Sequence, residues 1–327
     1  MVSFVRLLIA LAVACAVPAW LAGCAGTAAG PRAPGTDAVE VARGVYVVPG
    51  ASGEIGAENL GRVGNAGFIV GESGVLAVDT GTSYRHGKAL LAAIRRVTDK
   101  PVVLALITHT RQEFLFGSAA YREQGIPIHM HRKAAGLMQA RCDRCLKTLK
   151  QLLGDDEMRG SAVLKPDREF DASYTVDAIG RQVQVIYFGH SSGPGDIAVF
   201  DVRSGVLFAG GLLDHLRIPD VQDADFEAWP LALRALRELP ATAVVPGHGP
   251  VGTPQAIGAA VRYLAQLQAR VRELLQSGAA LSEVADAASL PEFARWDQYD
   301  TIHRRNASVL FVRFERDEMF KRAGSGQ

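Results

Sequence analysis

Three histidines directly follow strand-like apolar runs, and their side chains are the first candidates for chemistry in this chain. The runs and the histidines after them are 102–107 with His109, 183–188 with His190, and 243–245 with His248. The ends of strands are where α/β folds build their sites. Imidazole is a common metal ligand and a proton acceptor near neutral pH. The pattern therefore predicts a site at the ends of these strands.

The elements that would position these histidines alternate between strands and helices. Further predicted strands are 45–48, 65–70, 74–78, 126–131, 197–200 and 206–208. Predicted helices are 84–98, 117–125, 132–153, 225–238, one that opens at Thr253-Pro254, and 281–322. Strands that alternate with helices, with hairpins between them, favour mixed sheets covered by helices. The predicted fold class is therefore α/β.

Six short motifs occur in a recognisable order. They are Asn65-Ala66-Gly67-Phe68, Val78-Asp79-Thr80-Gly81, Ile107-Thr108-His109, Gly189-His190-Ser191, Leu207-Phe208-Ala209-Gly210 and Pro246-Gly247-His248-Gly249. This set resembles the metallo-β-lactamase fold family. The resemblance implies a four-layer αββα core at 41–252, with C-terminal helices at 253–327 that pack on it. The Arg217-Ile218-Pro219 turn and the 303–306 segment resemble an exported, SoxH-like branch found beside quinoprotein dehydrogenases.

The family's metal ligands are largely replaced in this sequence. Its motif T-H-x-H-x-D-H-x-x-G aligns with 108–117, where His109 is kept but the next three ligand positions hold Arg111, Glu113 and Phe114. His190 and His248 match downstream ligand positions, whereas Gly211 stands where a bridging Asp is expected. Neither Arg nor Phe offers a lone pair to a metal. The resemblance also places Asp79 beneath the metals as a residue that orients ligands, although it could equally cap a loop.

Two interpretations of this altered motif remain open. In the first, His109, Glu113, His190 and His248 hold one metal, which would be zinc, iron or manganese. Such a centre could activate water to hydrolyse an ester, thioester or lactone. In the second, Arg111 pairs with Glu113 and no metal is bound. The pocket of such a non-catalytic protein would then take an anionic ligand or a partner. The nearby Asp214-His215 could supply substitute ligands if its loop shifts, but it is predicted to be a solvated loop pair.

Two cysteines, Cys142 and Cys145, lie three residues apart inside a predicted helix. A local disulfide is one outcome in an oxidising compartment, and a pair of free thiols is the other. A redox centre usually sits where a strand passes into the start of a helix, and this motif lacks that setting.

The N-terminal segment is typical of an exported bacterial lipoprotein. An apolar run ends in Leu21-Ala22-Gly23-Cys24, which predicts a signal peptide at 1–23 and lipidation of Cys24. Residues 24–40 are predicted to be a flexible tether. The protein is therefore expected in the periplasm, anchored to a membrane, with Ala25 favouring the outer one. Loss of Arg6 with the signal reduces 35 basic residues to 34, equal to the 34 acidic ones, which argues against nucleic-acid binding.

Overall fold

A computed structural model describes residues 35–325, with side chains described as far as residue 321. The predicted signal peptide, the lipidated Cys24 and most of the predicted tether lie outside this range. Within it, the first sheet contains β1 Val39–Ala42, β2 Val45–Val48, β3 Ala66–Val70, β4 Val75–Val78, β5 Val102–Ile107, β6 Ile128–His131 and β7 Arg168–Phe170. The second contains β8 Tyr174–Val176, β9 Val183–Tyr187, β10 Ile197–Asp201, β11 Val206–Asp214 and β12 Ala243–His248.

The strands follow each other in chain order within both sheets. In the first sheet β1 to β4 pair antiparallel, and β4 to β7 pair parallel. In the second, the order is β12-β11-β10-β9-β8, and β11 with β12 is the parallel pair. The parallel pairs matter for function, because β5 ends just before His109 and β12 ends on His248.

The two sheets pack face to face over an apolar core. In β5, Leu104 and Leu106 face this inter-sheet core, whereas Ala105 and Ile107 face the helices on the other side. This is the alternation that a strand imposes on successive side chains. Because both faces of β5 are covered, the continuous apolar run seen in the sequence is what such a strand requires.

Helices cover the outer face of each sheet. They are α1 Tyr84–Val97, α2 Gln112–Leu115, α3 Ser118–Glu123, α4 Arg132–Met158, α5 Ala228–Arg237, α6 Gln255–Gln276, α7 Leu281–Ala287 and α8 Arg304–Ser325. Helices α1 to α4 contribute to the core on the outer face of the first sheet. Helices α5 to α8 contribute to the core on the outer face of the second sheet. Helices outside two stacked sheets confirm the predicted αββα sandwich with its C-terminal helical region.

Several predicted boundaries needed correction. The first strand starts at Val39, two residues inside the predicted tether, and pairs with β2. The short strands β7 and β8 have three residues each, too few to show a clear pattern. The predicted 281–322 helix is interrupted by a 3₁₀ turn at Pro291–Phe293 and a π-type turn at Tyr299–His303. In the range 35–325, no helix is long and apolar enough to span a membrane.

Candidate functional site

A cavity of about 490 Å³ opens where β5, β11 and β12 end. Its lining includes His109, Arg111, Glu113, Gly211 and His248. Five of the positions singled out in the sequence therefore meet at one place. The volume lies in the range of small-molecule sites.

His109 is oriented by a short chain of hydrogen bonds below the cavity. The Asp79 carboxylate accepts from the backbone N–H of Thr108 at 2.8 Å and lies 2.9 Å from its hydroxyl. The same hydroxyl lies 2.7 Å from His109 Nδ1. Burial raises the pKa of Asp79 to about 7, while burial and Arg111 lower that of His109 to about 3. Asp79 thus caps the strand end and, through Thr108, positions a neutral imidazole.

His248 is held between two carboxylates. Its Nε2 lies 2.8 Å from Glu113 Oε1, and its Nδ1 lies 2.8 Å from Asp214 Oδ1. Burial alone would lower the pKa of His248, but Asp214 and Glu113 outweigh it and raise the pKa to about 9. The imidazolium therefore uses both nitrogens as donors at neutral pH, and neither offers a lone pair to a metal.

The prediction that Asp214 is part of a solvated loop pair was wrong. Asp214 ends β11, and its side chain is only 12% exposed. In the parallel β11–β12 pairing, Asp214 is the register partner of His248. The error arose from the predicted end of β11 at 208, because the strand continues six residues further and includes Asp214.

Arg111 does not form the predicted direct pair with Glu113. Its Nη1 instead lies 2.7 Å from Asp220 Oδ2, and Arg305 at the start of α8 reaches the same carboxylate at 2.6 Å. Glu113 pairs with His248. Asp220 was not singled out in the sequence, because it lies in a loop whose partners come from elements about 85 and 109 residues away.

The four donors predicted for a single metal are not brought together. His190 is exposed, and its Nε2 lies 2.7 Å from the carbonyl oxygen of Asp223. The Phe114 ring lies between the other two imidazoles, with centroids 4.3 Å from His109 and 5.3 Å from His248. In residues 35–325, no three His, Cys, Asp or Glu side chains are arranged to hold a metal ion. In this arrangement the residues do not fit the family's metals.

Gly211 packs directly against the side chains of the site. A Cβ there would lie 2.6 Å from His109 Cδ2 and 2.7 Å from Asp196 Oδ2. Asp196 is buried and accepts a hydrogen bond from Ser192 Oγ at 2.6 Å, and burial raises its pKa to about 6. A carboxylate from the 190–196 loop thus lies beside the position where the family's bridging Asp is missing. Asp196 was not singled out in the sequence, although it directly follows the Gly193-Pro194-Gly195 turn after His190.

Replacing Gly211 with Ala is expected to destabilise the protein by about 1–3 kcal/mol, because both facing side chains are buried and the new methyl would force them apart. The measurement is urea unfolding. A suitable control is Gly136→Ala in α4, where an added Cβ meets nothing within 4 Å. That change should be neutral or slightly stabilising. Equal stability of the two variants would contradict the close packing at Gly211.

Comparisons with known proteins agree with the fold. The family model described as the metallo-β-lactamase superfamily matches residues 60–248. A metallo-β-lactamase from Pontibacter korlensis superposes with a TM-score of 0.58 at 23% identity, covering 70% of this chain and 98% of that one. For the metallo-β-lactamase DIM-1, the TM-score is 0.56 at 16% identity, covering 72% and 99%. At these identities the structures share the fold alone.

Curated proteins also match by sequence, among them the following relative. It is a linear primary-alkylsulfatase from a Pseudomonas strain, 22% identical over a 262-residue alignment that covers 68% of this chain. The chain spans about half the length of this relative, 49% of it. The expected SoxH-like branch stays a prediction.

Proposed function

This chain belongs to the metallo-β-lactamase superfamily, and we propose that its pocket binds an organic anion through fixed cationic side chains instead of through metal ions. The observation that carries the proposal is the pairing pattern around Asp220. Two guanidinium groups, those of Arg111 and Arg305, share this one carboxylate. Among these three side chains the positive charges therefore exceed the negative charge by one.

The floor of the pocket supports the same proposal. There His248 carries one positive charge between the carboxylates of Glu113 and Asp214. These three groups satisfy each other's hydrogen bonds and together carry one net negative charge, so the floor repels an anion, whereas the arginines at the mouth attract it. Such a division would fix the ligand's direction, with its charged end at Arg111. Guanidinium suits this role because its planar fork matches carboxylate and sulfate oxygens.

The apolar lining indicates the rest of the ligand. Aliphatic side chains contribute to the cavity wall beside the arginines, namely Ile55, Val63, Leu137, Leu152, Ile218 and Ile302. An anionic head with a hydrocarbon tail would use both parts of this surface. A linear alkyl sulfate is one such molecule, and the name of the alkylsulfatase relative points to the same class.

Titration calorimetry with octyl sulfate tests the proposal. Octanol, which lacks the anion, and inorganic sulfate, which lacks the chain, are expected to bind at least about tenfold more weakly. Arg111→Met keeps the aliphatic stem but removes the charge, so it should weaken octyl sulfate binding by a similar factor. Arg262→Ala, which removes an exposed arginine paired with Glu292, serves as the control. Equal binding of octanol and octyl sulfate would refute the anion site.

A one-metal hydrolase is the second candidate, because His109 and His248 both line the cavity. It requires that Glu113 and His248 separate and that both turn to a metal. Sulfate or alcohol release from an ester, lost in His109→Ala, would favour this candidate over the binding protein. We further propose that the protein acts in the periplasm on a lipid anchor at Cys24.

A further inference from the structure

The geometry points to a second chemical site on the wall of the same cavity: Cys142 and Cys145 form a reversible dithiol–disulfide pair that reacts with small disulfides. Both cysteines belong to α4 and both line the cavity. Their sulfur atoms lie 3.1 Å apart. This pair is independent of the proposed anion ligand, and the family's metal chemistry does not involve it.

The two thiols differ in the way a redox pair requires. Cys142 is 1% exposed and packs in the core between α4 and the first sheet. Cys145 is partly exposed and can meet a molecule that enters the cavity. The contact with Cys142 lowers the pKa of Cys145, and the same contact followed by burial raises that of Cys142. Cys145 is therefore the attacking thiol and Cys142 the resolving one.

The helical spacing of Cys142 and Cys145 favours a disulfide that is easily reduced again. Side chains three residues apart share one face of a helix, but their Cβ atoms are about 5–6 Å apart, whereas a disulfide requires about 4 Å. The sulfurs must approach by about 1 Å to bond, so α4 has to tighten locally. A disulfide closed against such resistance is easier to reduce than a relaxed structural one.

The reaction balances with a low-molecular-weight disulfide as the oxidant. The Cys145 thiolate attacks one sulfur of the disulfide, whose S–S bond breaks and releases one thiol after it takes up a proton. The Cys142 sulfur then attacks Cys145 Sγ in the mixed disulfide and loses its own proton. A second thiol leaves. Two protein thiols are oxidised by two electrons, and the small disulfide is reduced to two thiols.

Peptide mass spectrometry provides the test, because trypsin cuts after Arg141, Arg144 and Lys147 and so separates the two cysteines. The purified full chain is reduced, exposed to oxidised glutathione, alkylated and digested. We expect the two peptides to become linked, and reduced glutathione to separate them again without unfolding. Both peptides still alkylated after oxidation would overturn the proposal. So would a disulfide that resists reduced glutathione in the folded protein, because that bond would be structural.

Variants assign the two roles. In Cys142→Ala, glutathione is expected to remain attached to Cys145 as a stable mixed disulfide. In Cys145→Ser, attachment to Cys142 should be at least tenfold slower because that thiol is buried. Equal rates in the two variants would overturn the assignment. If Cys142→Ala fails to fold, the alkylation rates of the two peptides in the reduced wild type decide, with Cys145 expected to react at least tenfold faster.

Discussion

The free energy of unfolding is expected to fall by up to about 3 kcal/mol as the pH rises from 6.5 to 9. The cause is His248, whose pKa rises from 6.5 to about 9 in the folded state. A group with a raised folded pKa stabilises the protein fully below its unfolded value, and this contribution disappears as the pH passes the folded value. Urea unfolding at several pH values measures the effect.

Glu113, one of the two partners of His248, affects the free energy of unfolding at acidic pH. Burial would raise the pKa of Glu113, but His248 outweighs it and lowers the pKa from 4.5 to about 2. This contribution is present above pH 4.5 and is lost as the pH falls toward 2. The combined contribution of His248 and Glu113 to stability is therefore largest from about pH 4.5 to about pH 6.5.

Glu113→Gln provides the matching variant. It keeps the shape of the side chain but removes one of the two charges that hold His248 protonated, so the decline above pH 6.5 should become shallower. Glu227→Gln, at an exposed carboxylate on the surface, should keep the wild-type profile. A wild-type profile that is flat from pH 6.5 to 9 would show that His248 is not protonated between the two carboxylates.

The second large effect concerns metal content. The purified protein is expected to carry well below one zinc, iron or manganese ion per chain, measured by elemental mass spectrometry. The reason is that His248 has both nitrogens engaged, His190 bonds to a carbonyl, and Phe114 separates the imidazoles. Adding a chelator should leave the melting temperature unchanged. About one metal per chain, lost in His109→Ala, would contradict this and favour the one-metal hydrolase.

Introducing histidines at two of the replaced ligand positions should restore zinc binding. Arg111→His combined with Phe114→His replaces a guanidinium and a phenyl ring with two donors beside His109. Three protein ligands are enough for a zinc site with an open position. We expect this double variant to bind about one zinc per chain and to lose it to a chelator. Arg111→His alone leaves Phe114 between the imidazoles and should bind less.

Local patterns accounted for most of the fold. The run 102–107 was predicted as a strand and is β5, and the helix predicted at 84–98 is α1 at Tyr84–Val97. The helix predicted to end at 153 meets a non-helical residue at Gly154 inside α4. These elements were readable because burial of their apolar faces leaves a period of two or 3.6 in the sequence. Charged three-residue strands such as β7 leave no such trace.

By itself, the sequence determined which ligands of the family are missing, because residue identity alone decides whether a side chain can offer a lone pair. It also determined that His109 and His248 would be at strand ends. Only the tertiary structure decided what replaced the metals. The partners of Arg111 and His248 are Asp220, Glu113 and Asp214, brought from distant loops and strands by sheet packing. Side-chain pairing across such separations leaves no local pattern, so the charged residues of the site could be identified from the sequence but their partners could not.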